Sequence, residues 1–362
     1  MRRHQQRKLQ TTHKINQSGV DGGLMEPVYG GILAVGFVVG FIMLVKGADI
    51  FIDGAASIAT RRGVSEHLIG LTLVAFATSI PELAVSDIAA VQGVEGIAIG
   101  NVVGSNIANI GLVLGVAIFI MPVKAPKQSF FDGLLLLAIT CLLAGVVYID
   151  GELGRMDGIL FLIIYAGFTY YLISNHMKCH PKDGNVPEDV ECPVPIPASE
   201  VKGLITVDPT DPAAIRKDWI MVVAGALMVL LGANFLVESA VRIAEEMNIS
   251  EFIIGLTVVS IGTSLPELAS SVTAAMKQKH GISVGNVIGS NIINILLVLG
   301  SAAAISPIRA EGDALDQSMP FLFLFTILCV ILVKTRMPKF MGIVLVAIYV
   351  LFIAVLAFGG GI

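Results

Sequence analysis

Two carboxylates stand in the middle of long apolar segments of this sequence. Glu82 ends the stretch Thr78-Ser-Ile-Pro-Glu82. Glu267 ends the matching stretch Thr263-Ser-Leu-Pro-Glu267. An ionised side chain at the centre of a bilayer costs from ~2.5 to more than ~10 kcal/mol, so such residues usually line an ion pathway or a water-filled cavity. A lone buried Glu is often a protonated structural residue, but two in the same motif favour a cation site.

A proline stands directly before each glutamate. Pro81 has no N–H, so the carbonyl of Ala77 loses its helical partner, and Pro266 has the same effect on Gly262. Broken helices at membrane depth are tolerated where they face a cavity, and their freed carbonyls can coordinate a cation. The hydroxyls beside the two predicted breaks belong to Thr78, Ser79, Thr263 and Ser264.

A second motif, G-N-x-x-G-S-N, follows each carboxylate, as Gly100–Asn106 and Gly285–Asn291. Its glycines, spaced four apart, predict close packing of two helices. We interpret its serine and final asparagine as cation ligands, with interhelical hydrogen bonding as the alternative. One helix face carries Asn101, Ser105 and Asn109, and the equivalent face carries Asn286, Ser290 and Asn294. The full predicted ion-binding set is Glu82, Glu267, Thr78, Thr263, Ser79, Ser264, Ser105, Ser290, Asn106, Asn291, Ala75 and Ser260.

The predicted ligands are all oxygens and carry a formal charge of −2. Calcium takes six to eight oxygen ligands in irregular geometry, whereas magnesium holds its water shell tightly and is less favoured. No His or Cys lies among these positions, which argues against zinc or copper. Sodium can use the same hydroxyls and carbonyls. Antiport follows if both ions compete for shared ligands and only filled sites can reorient. No cofactor is expected.

The composition predicts an all-α membrane protein. Of the 362 residues, 55% are hydrophobic and only 14% are charged, against about 25% charged in soluble domains. The apolar residues form ten blocks, each near the ~20 residues that cross a bilayer. They run approximately over 28–50, 66–90, 97–121, 131–149, 158–174, 218–243, 250–276, 283–306, 319–334 and 338–359.

An internal repeat organises these blocks. Residues 70–115 and 255–300 match at 28 of 46 positions without a gap, at a constant offset of 185. Five blocks per half require the second copy to enter the membrane upside down, and inverted repeats of this kind recur among transporters. We therefore expect two inverted five-helix repeats with broken helices at the membrane midplane. The predicted parts are a disordered basic tail over 1–27, the first repeat over 28–174, a cytoplasmic linker over 175–217 and the second repeat over 218–362.

The distribution of basic residues predicts the orientation. Loops after the odd-numbered blocks hold fourteen Lys and Arg, and the remaining loops with the C-terminal tail hold three. By the positive-inside rule the first set is cytoplasmic, which places both termini outside the cell membrane. The basic tail conflicts with this orientation, because it would then also lie outside.

Residues 70–115 and 255–300, with their doubled G-T-S-x-P-E and G-N-x-x-G-S-N motifs, resemble the α-repeats of the calcium/cation antiporter superfamily. Copy one departs from the motif at Ala77, where glycine is usual. The ten blocks and short linker are similar to its prokaryotic sodium/calcium exchanger branch. The linker is too short for calcium-sensing β-sandwich domains.

The resemblance also implies roles for individual residues. Four ion sites would lie between the repeats, and a neutral Asn291 would make exchange independent of potassium. The first and sixth spans would slide against the remaining bundle, with Gly47 and Gly232 at the sliding face. The implied ligands are the carboxylates of Glu82 and Glu267 and backbone oxygens of Thr78 and Thr263 for calcium, Ser79, Ser105, Ser264 and Ser290 for sodium, and Asn106 and Asn291 at the centre.

Several functions remain open at this point. A proton/calcium antiporter could use the same scaffold, because the two glutamates could carry protons. A passive cation channel could also use paired glutamates. A membrane enzyme is the least favoured, since the sequence shows no nucleophile–base pair or nucleotide-binding loop. The expected partners are calcium, sodium and the lipid bilayer, with no nucleic acid and no obligate protein partner.

Overall fold

The computed structural model describes residues 27–62, 64–93, 95–179, 211–246, 260–309 and 313–359. The predicted basic tail over 1–27, except its last residue, and most of the predicted linker over 175–217 lie outside these residues.

The described part is mainly helical. Its helices are α1 Pro27–Arg62, α2 Glu66–Thr78, α3 Ile80–Gln92, α4 Glu95–Ala108, α5 Gly115–Ile120, α6 Gln128–Asp150, α7 Arg155–Cys179, α8 Pro212–Glu246, α9 Ser260–Thr263, α10 Leu265–Met276, α11 His280–Ile293, α12 Gly300–Ile305, α13 Asp313–Leu332 and α14 Lys339–Gly359.

Four two-residue strands join the ends of these helices. They are β1 Val123–Lys124, β2 Glu152–Leu153, β3 Ile308–Arg309 and β4 Arg336–Met337. The all-α prediction missed them, because two residues in a loop are too few to show an alternating pattern.

Wider π-type turns interrupt the helices that carry the motifs. One lies inside α2, at Gly70–Val74. The others join α4 to α5, at Asn109–Leu114, and α11 to α12, at Asn294–Leu299. The last two are separated by the repeat offset of 185 residues. Such turns are rare and often mark functional sites.

The proline motifs coincide with a break in each copy. Helices α2 and α3 meet at 46°, and Ser79 between them has φ −85° and ψ 7°. Ser264 separates α9 from α10 with φ −85° and ψ 2°. Each proline lies at the start of the following helix, where its missing N–H costs no intrahelical bond. The breaks therefore point the N-termini of α3 and α10, and their glutamates, into the protein.

Helices α1 and α8 are longer than the blocks 28–50 and 218–243 predicted, because both continue past the apolar residues as they pack on each other. They run antiparallel at very close range. A Cβ on Gly47 would lie 2.7 Å from Met228 Cβ, and one on Gly232 would lie 2.5 Å from the Leu44 nitrogen. These glycines therefore face the other long helix, while Leu44 and Ala48 beside Gly47 pack with Leu265 and Ala269 of α10. Sliding of the first and sixth spans against the bundle in these regions stays a prediction.

The pairing of the short strands shows where equivalent segments of the two copies lie in the molecule. β1 precedes α6 and β2 follows it, so they lie at opposite ends of a helix about 34 Å long. β1 pairs with β4, and β2 pairs with β3. β1 and β3 occupy equivalent repeat positions, 185 residues apart. These equivalent strands therefore lie at opposite ends of the molecule.

Two apolar helical segments form the centre of the bundle. Within the most apolar part of Ala98–Ile120, 72% of the residues are buried, and for His280–Ile305 the share is 78%, against 17% for Arg155–Ser174. The motif helices are thus inside and α7 is peripheral. Among the described residues, five single helices and the bent α2–α3 pair are long and apolar enough to span a membrane. Ten spans stay a prediction.

Candidate functional site

The two motif glutamates lie fully buried in the first turns of α3 and α10. Neither oxygen of Glu82 has a hydrogen-bond partner among the described residues. Glu267 Oε1 accepts hydrogen bonds from Ser79 Oγ at 3.1 Å and Ser290 Oγ at 3.4 Å, while Oε2 has no partner there. Buried carboxylate oxygens without partners are costly, and a bound cation would remove that cost.

Residues at each break contact the other copy. The bond from Ser79 to Glu267 crosses from copy one to copy two. Thr263 Oγ1 lies 3.4 Å from Ser105 Oγ, again across the copies. Both threonines and both serines at the breaks are buried, and Ser264 Oγ has no partner in the described part of the chain. The structure therefore gathers most of the predicted hydroxyls and both carboxylates between the two repeats.

The final asparagines of the two G-N-x-x-G-S-N motifs bind each other's backbone. Asn106 Nδ2 donates to the Asn291 carbonyl at 3.3 Å, and Asn291 Nδ2 donates to the Asn106 carbonyl at 3.3 Å. This reciprocal pair ties α4 to α11, as the interhelical alternative expected. Asn106 Oδ1 has no partner among the described residues, but Asn291 Oδ1 accepts from Asn109 Nδ2 at 3.1 Å. Cation ligation by these two amides stays a prediction.

Two further asparagines, Asn109 and Asn294, have buried side-chain atoms that could bind a cation. Asn109 Oδ1 and both polar side-chain atoms of Asn294 are buried without a hydrogen-bond partner in the described residues. They follow Ser105 and Ser290 by four positions, so they share a helix face with them. That spacing was visible in the sequence, but the predicted ion-binding set did not include them. Their open oxygens fit the same cation chemistry as the glutamates.

The remaining two members of the predicted set contribute less. Ala75 is buried, and its carbonyl already accepts from the Ser79 N–H at 3.0 Å and the Thr78 hydroxyl at 3.3 Å. Ser260 begins α9, but its side chain lies outside the described residues.

The first asparagine of each motif forms a bridge that the prediction also missed. Asn101 Nδ2 donates to the Glu82 carbonyl at 3.3 Å and to Ser86 Oγ at 3.0 Å. Asn286 Nδ2 donates to the Glu267 carbonyl at 3.4 Å and to Ser271 Oγ at 2.8 Å. Their side chains thus fasten each motif helix to the backbone of the glutamate in its own copy.

An ion-pair cluster joins α1 to the turn between α10 and α11. Lys277 Nζ lies 2.7 Å from both Asp49 Oδ1 and Asp53 Oδ1. Burial alone would lower the pKa of Lys277, but hydrogen bonds and charges of the two aspartates outweigh it and raise the pKa. The ammonium therefore stays charged at neutral pH, and it holds α1 against this turn.

The donor set at the centre suits a hard cation. Carboxylates, hydroxyls and amide oxygens are the ligands of calcium and sodium rather than of zinc or copper. No group of three or more His, Cys, Asp or Glu that could hold a metal occurs in the described parts of the chain. A cation bound beside these two carboxylates would need hydroxyl and amide oxygens to complete its shell.

Comparisons with known proteins agree with this chemistry. The family model described as sodium/calcium exchanger protein matches residues 32–174 and 217–358. The putative antiporter CaxA of Alkalimonas amylolytica is 36% identical over 303 residues, covering 83% of this chain and 89% of the relative. The sodium/calcium exchanger MaX1 of Methanosarcina acetivorans is 34% identical over 346 residues, covering 88% and 96%.

A solved structure has the same fold. The sodium-calcium exchanger NCX_Mj, soaked with 2.5 mM Na⁺ and 0.1 mM Ca²⁺, superposes with a TM-score of 0.74 at 31% identity, covering 89% of this chain and 98% of its own. Another relative, inner membrane protein YrbG of Escherichia coli, is 29% identical over 328 residues, covering 88% of this chain and 95% of its own. The matched family and the paired, buried oxygen site lead to one conclusion: this chain is a membrane protein that belongs to the sodium/calcium exchanger protein family.

Proposed function

We propose that this protein is a secondary antiporter that exchanges calcium for sodium by alternating access. The observation that carries the proposal is the pair of fully buried glutamates. Three of their four carboxylate oxygens have no hydrogen-bond partner among the described residues. Two formal negative charges match one Ca²⁺, and the same oxygens with the neighbouring hydroxyls can hold Na⁺ instead. Competition for shared ligands then couples the two ions, provided that only a filled site can reorient.

We further propose exchange that does not require potassium. Among the described residues, the fully buried carboxylates are Glu82 and Glu267, and the nearby side chains of Asn291 and Asn294 are neutral amides. Two charges are neutralised by one divalent ion, so no additional monovalent cation is needed to balance the centre.

The proposed architecture is ten spans in two inverted five-helix repeats, in the cell membrane, with both termini outside. The repeat offset, the loop charges and the placement of β1 and β3 at opposite ends support it. The transported ions and the lipid bilayer are the proposed partners, with no resident cofactor and no obligate protein partner.

A proton/calcium antiporter is the second possibility. It is favoured by the burial of Glu82, whose partnerless oxygens could bind protons in place of sodium. A cation channel is a more distant alternative, and it would conduct calcium without any counter-ion.

The experiment is calcium uptake into proteoliposomes that hold the purified protein. Outward gradients of sodium and of protons are imposed separately, with a potassium gradient as the control for membrane potential. We expect uptake with the sodium gradient only. Uptake driven by protons alone would select the second possibility, and uptake without any gradient of an exchangeable ion would indicate a channel.

A further inference from the structure

We propose that Lys277, Asp49 and Asp53 form a latch that holds the cytoplasmic end of the protein closed and so favours the state that opens to the outside. The inference rests on the proposed exchange function, and it concerns which access state is the more stable one. Lys277 lies in the turn between α10 and α11, which is cytoplasmic in the proposed orientation, and both aspartates lie on α1. The latch joins parts of the chain that are 224 and 228 residues apart.

The latch offers one acceptor to each donor of the Lys277 ammonium. Nζ lies 2.7 Å from Asp49 Oδ1, 2.7 Å from Asp53 Oδ1 and 3.0 Å from the Asp49 carbonyl oxygen. An ammonium has three N–H donors, so each can be directed to one of these oxygens. The aspartates are four residues apart, which places both carboxylates on the same face of α1. Lys277 is thus fixed to α1 at three points.

An apolar plug lies between the latch and the two glutamates. Buried side chains of α1 pack there against α2, α10 and α11, and the plug includes Phe51, Ile52, Ala55, Val74, Ala274 and Ile282. Ala274 follows Glu267 by seven residues along α10, or about 10 Å toward the turn that carries Lys277. A route to the cytoplasm between α1 and these helices opens only if the plug parts. That movement also pulls the two aspartates away from Lys277.

The other copy of the repeat does not carry the charges of the latch. The equivalents of Asp49, Asp53 and Lys277, at the offset of 185 residues, are Asn234, Glu238 and Gln92. None of these equivalents is a cation, so they cannot form an ion pair with one another. In an inverted repeat they belong to the opposite face of the membrane. The sequence therefore provides a charged latch at the cytoplasmic end and a neutral turn at the matched outer position.

The backbone of the turn does not account for this difference. Gln278 and its equivalent Gly93 both have a positive φ, 59° and 72°. Glycine adopts such a conformation readily, whereas a glutamine there has a steric cost. Copy two keeps the same turn despite this cost and places a lysine on each side of Gln278. The matched positions differ in charge, and that difference makes the cytoplasmic end harder to open.

The effect of the latch is modest, because water reaches it. The side chains are 26% exposed for Lys277, 49% for Asp49 and 53% for Asp53, and solvent screens ion pairs of this kind. We expect loss of both pairs to raise the population that is open to the cytoplasm about five-fold, or about 1 kcal/mol.

The test measures how often the cytoplasmic end opens. In reconstituted protein without native cysteines, Ala55→Cys places a thiol in the plug, where Ala55 is fully buried. An impermeant thiol reagent on the side that carries Lys277 modifies this thiol only while that end is open, so the modification rate reports the open population. Lys277→Gln, which introduces the residue of copy one, should raise this rate about five-fold in the same background.

Lys279→Gln is the matched control. Lys279 lies in the same turn, its side chain is 35% exposed, and it pairs with Glu66 Oε1 at 2.8 Å. That pair joins α2 to the start of α11, and the backbones of these helices are already in contact, since a Cβ on Gly285 would lie 2.5 Å from the His67 carbonyl oxygen. Breaking this pair leaves α1 attached to the turn. The modification rate in Lys279→Gln should therefore match that of wild type.

A mutant cycle separates the latch from other effects of charge. Asp49→Asn combined with Asp53→Asn should raise the modification rate as much as Lys277→Gln does. Adding Lys277→Gln to these two substitutions should have no further effect, because all three residues act through the same ion pairs. A wild-type rate in Lys277→Gln, an equal rise in Lys279→Gln, or effects that add would each overturn the latch.

The latch and the exchange function fail in different ways. If wild-type protein shows no sodium-dependent calcium flux, the proposed function is wrong. If wild type exchanges the ions and Lys277→Gln keeps the wild-type modification rate, only the latch is wrong.

Discussion

Replacing either motif glutamate by glutamine tests the cation site most directly. Glu82→Gln removes one of two buried negative charges and keeps the size of the side chain. It breaks no hydrogen bond among the described residues, because neither Glu82 oxygen has a partner there. At Glu267, a glutamine oxygen can still accept from Ser79 and Ser290, as Oε1 now does. Both variants should therefore fold.

The expected loss follows from burial and charge. Removing one partner of a buried charge pair costs about 2–5 kcal/mol, and each ~1.4 kcal/mol is a factor of ten. Both carboxylates are fully buried, so the upper half of that range applies. We expect calcium affinity to fall at least ~100-fold, which would bring sodium-driven uptake to background.

The assay is sodium-driven calcium uptake in proteoliposomes at matched protein content, with gel filtration to confirm folding. Asp87→Asn is the matched control: Asp87 lies in the same helix as Glu82, only partly buried, and accepts a hydrogen bond from Ser301 at 2.7 Å. This variant should keep calcium affinity within about two-fold of wild type, because its charge lies outside the site. Calcium uptake above background by folded Glu82→Gln or Glu267→Gln protein would refute the site.

Three other predictions concern topology, coupling and packing. In protein without native cysteines, Lys124→Cys should react with an impermeant thiol reagent from the cytoplasmic side and Arg309→Cys from the outside, because β1 and β3 lie at opposite ends of the molecule. Labelling of both variants from the same side would contradict the inverted topology. Sodium-driven calcium flux of the wild type should not depend on potassium from pH 6 to 8. The flux of Asn291→Asp should depend on potassium or pH, because three neighbouring carboxylates cannot all stay ionised. If the variant matches wild type, Asn291 does not belong to the cation shell. Gly289→Ala should lower the melting temperature by about 3 °C or more, because its Cβ would lie 2.4 Å from the Leu71 carbonyl oxygen. Gly145→Ala is the control and should leave the melting temperature unchanged, because a Cβ there has no contact within 4 Å. Equal melting temperatures in the two variants would contradict the close approach at Gly289.

Much of the fold could be read from local patterns. Long apolar blocks indicate membrane helices regardless of how the helices pack, because a segment in the bilayer must be apolar and must satisfy its own backbone hydrogen bonds. Proline before glutamate indicates a break with a carboxylate at the next helix start, since proline cannot donate to the preceding turn. The structure has such breaks at Ser79 and Ser264. The lengths of α1 and α8 were underestimated, because contact between these helices extends them beyond their apolar residues.

The sequence was sufficient to identify the chemistry of the centre: two carboxylates among hydroxyls and amides, repeated in both copies, with no soft ligands. Spacing along a helix indicates which residues share a face. It does not indicate which helix that face meets, or which end of an amide points inward. The reciprocal contacts of Asn106 and Asn291 arise only when the two copies pack together. The bridges of Asn101 and Asn286 arise only when two helices of the same copy pack together. Hydrogen bonds between residues more than 150 positions apart depend on that packing, and no local pattern encodes their direction.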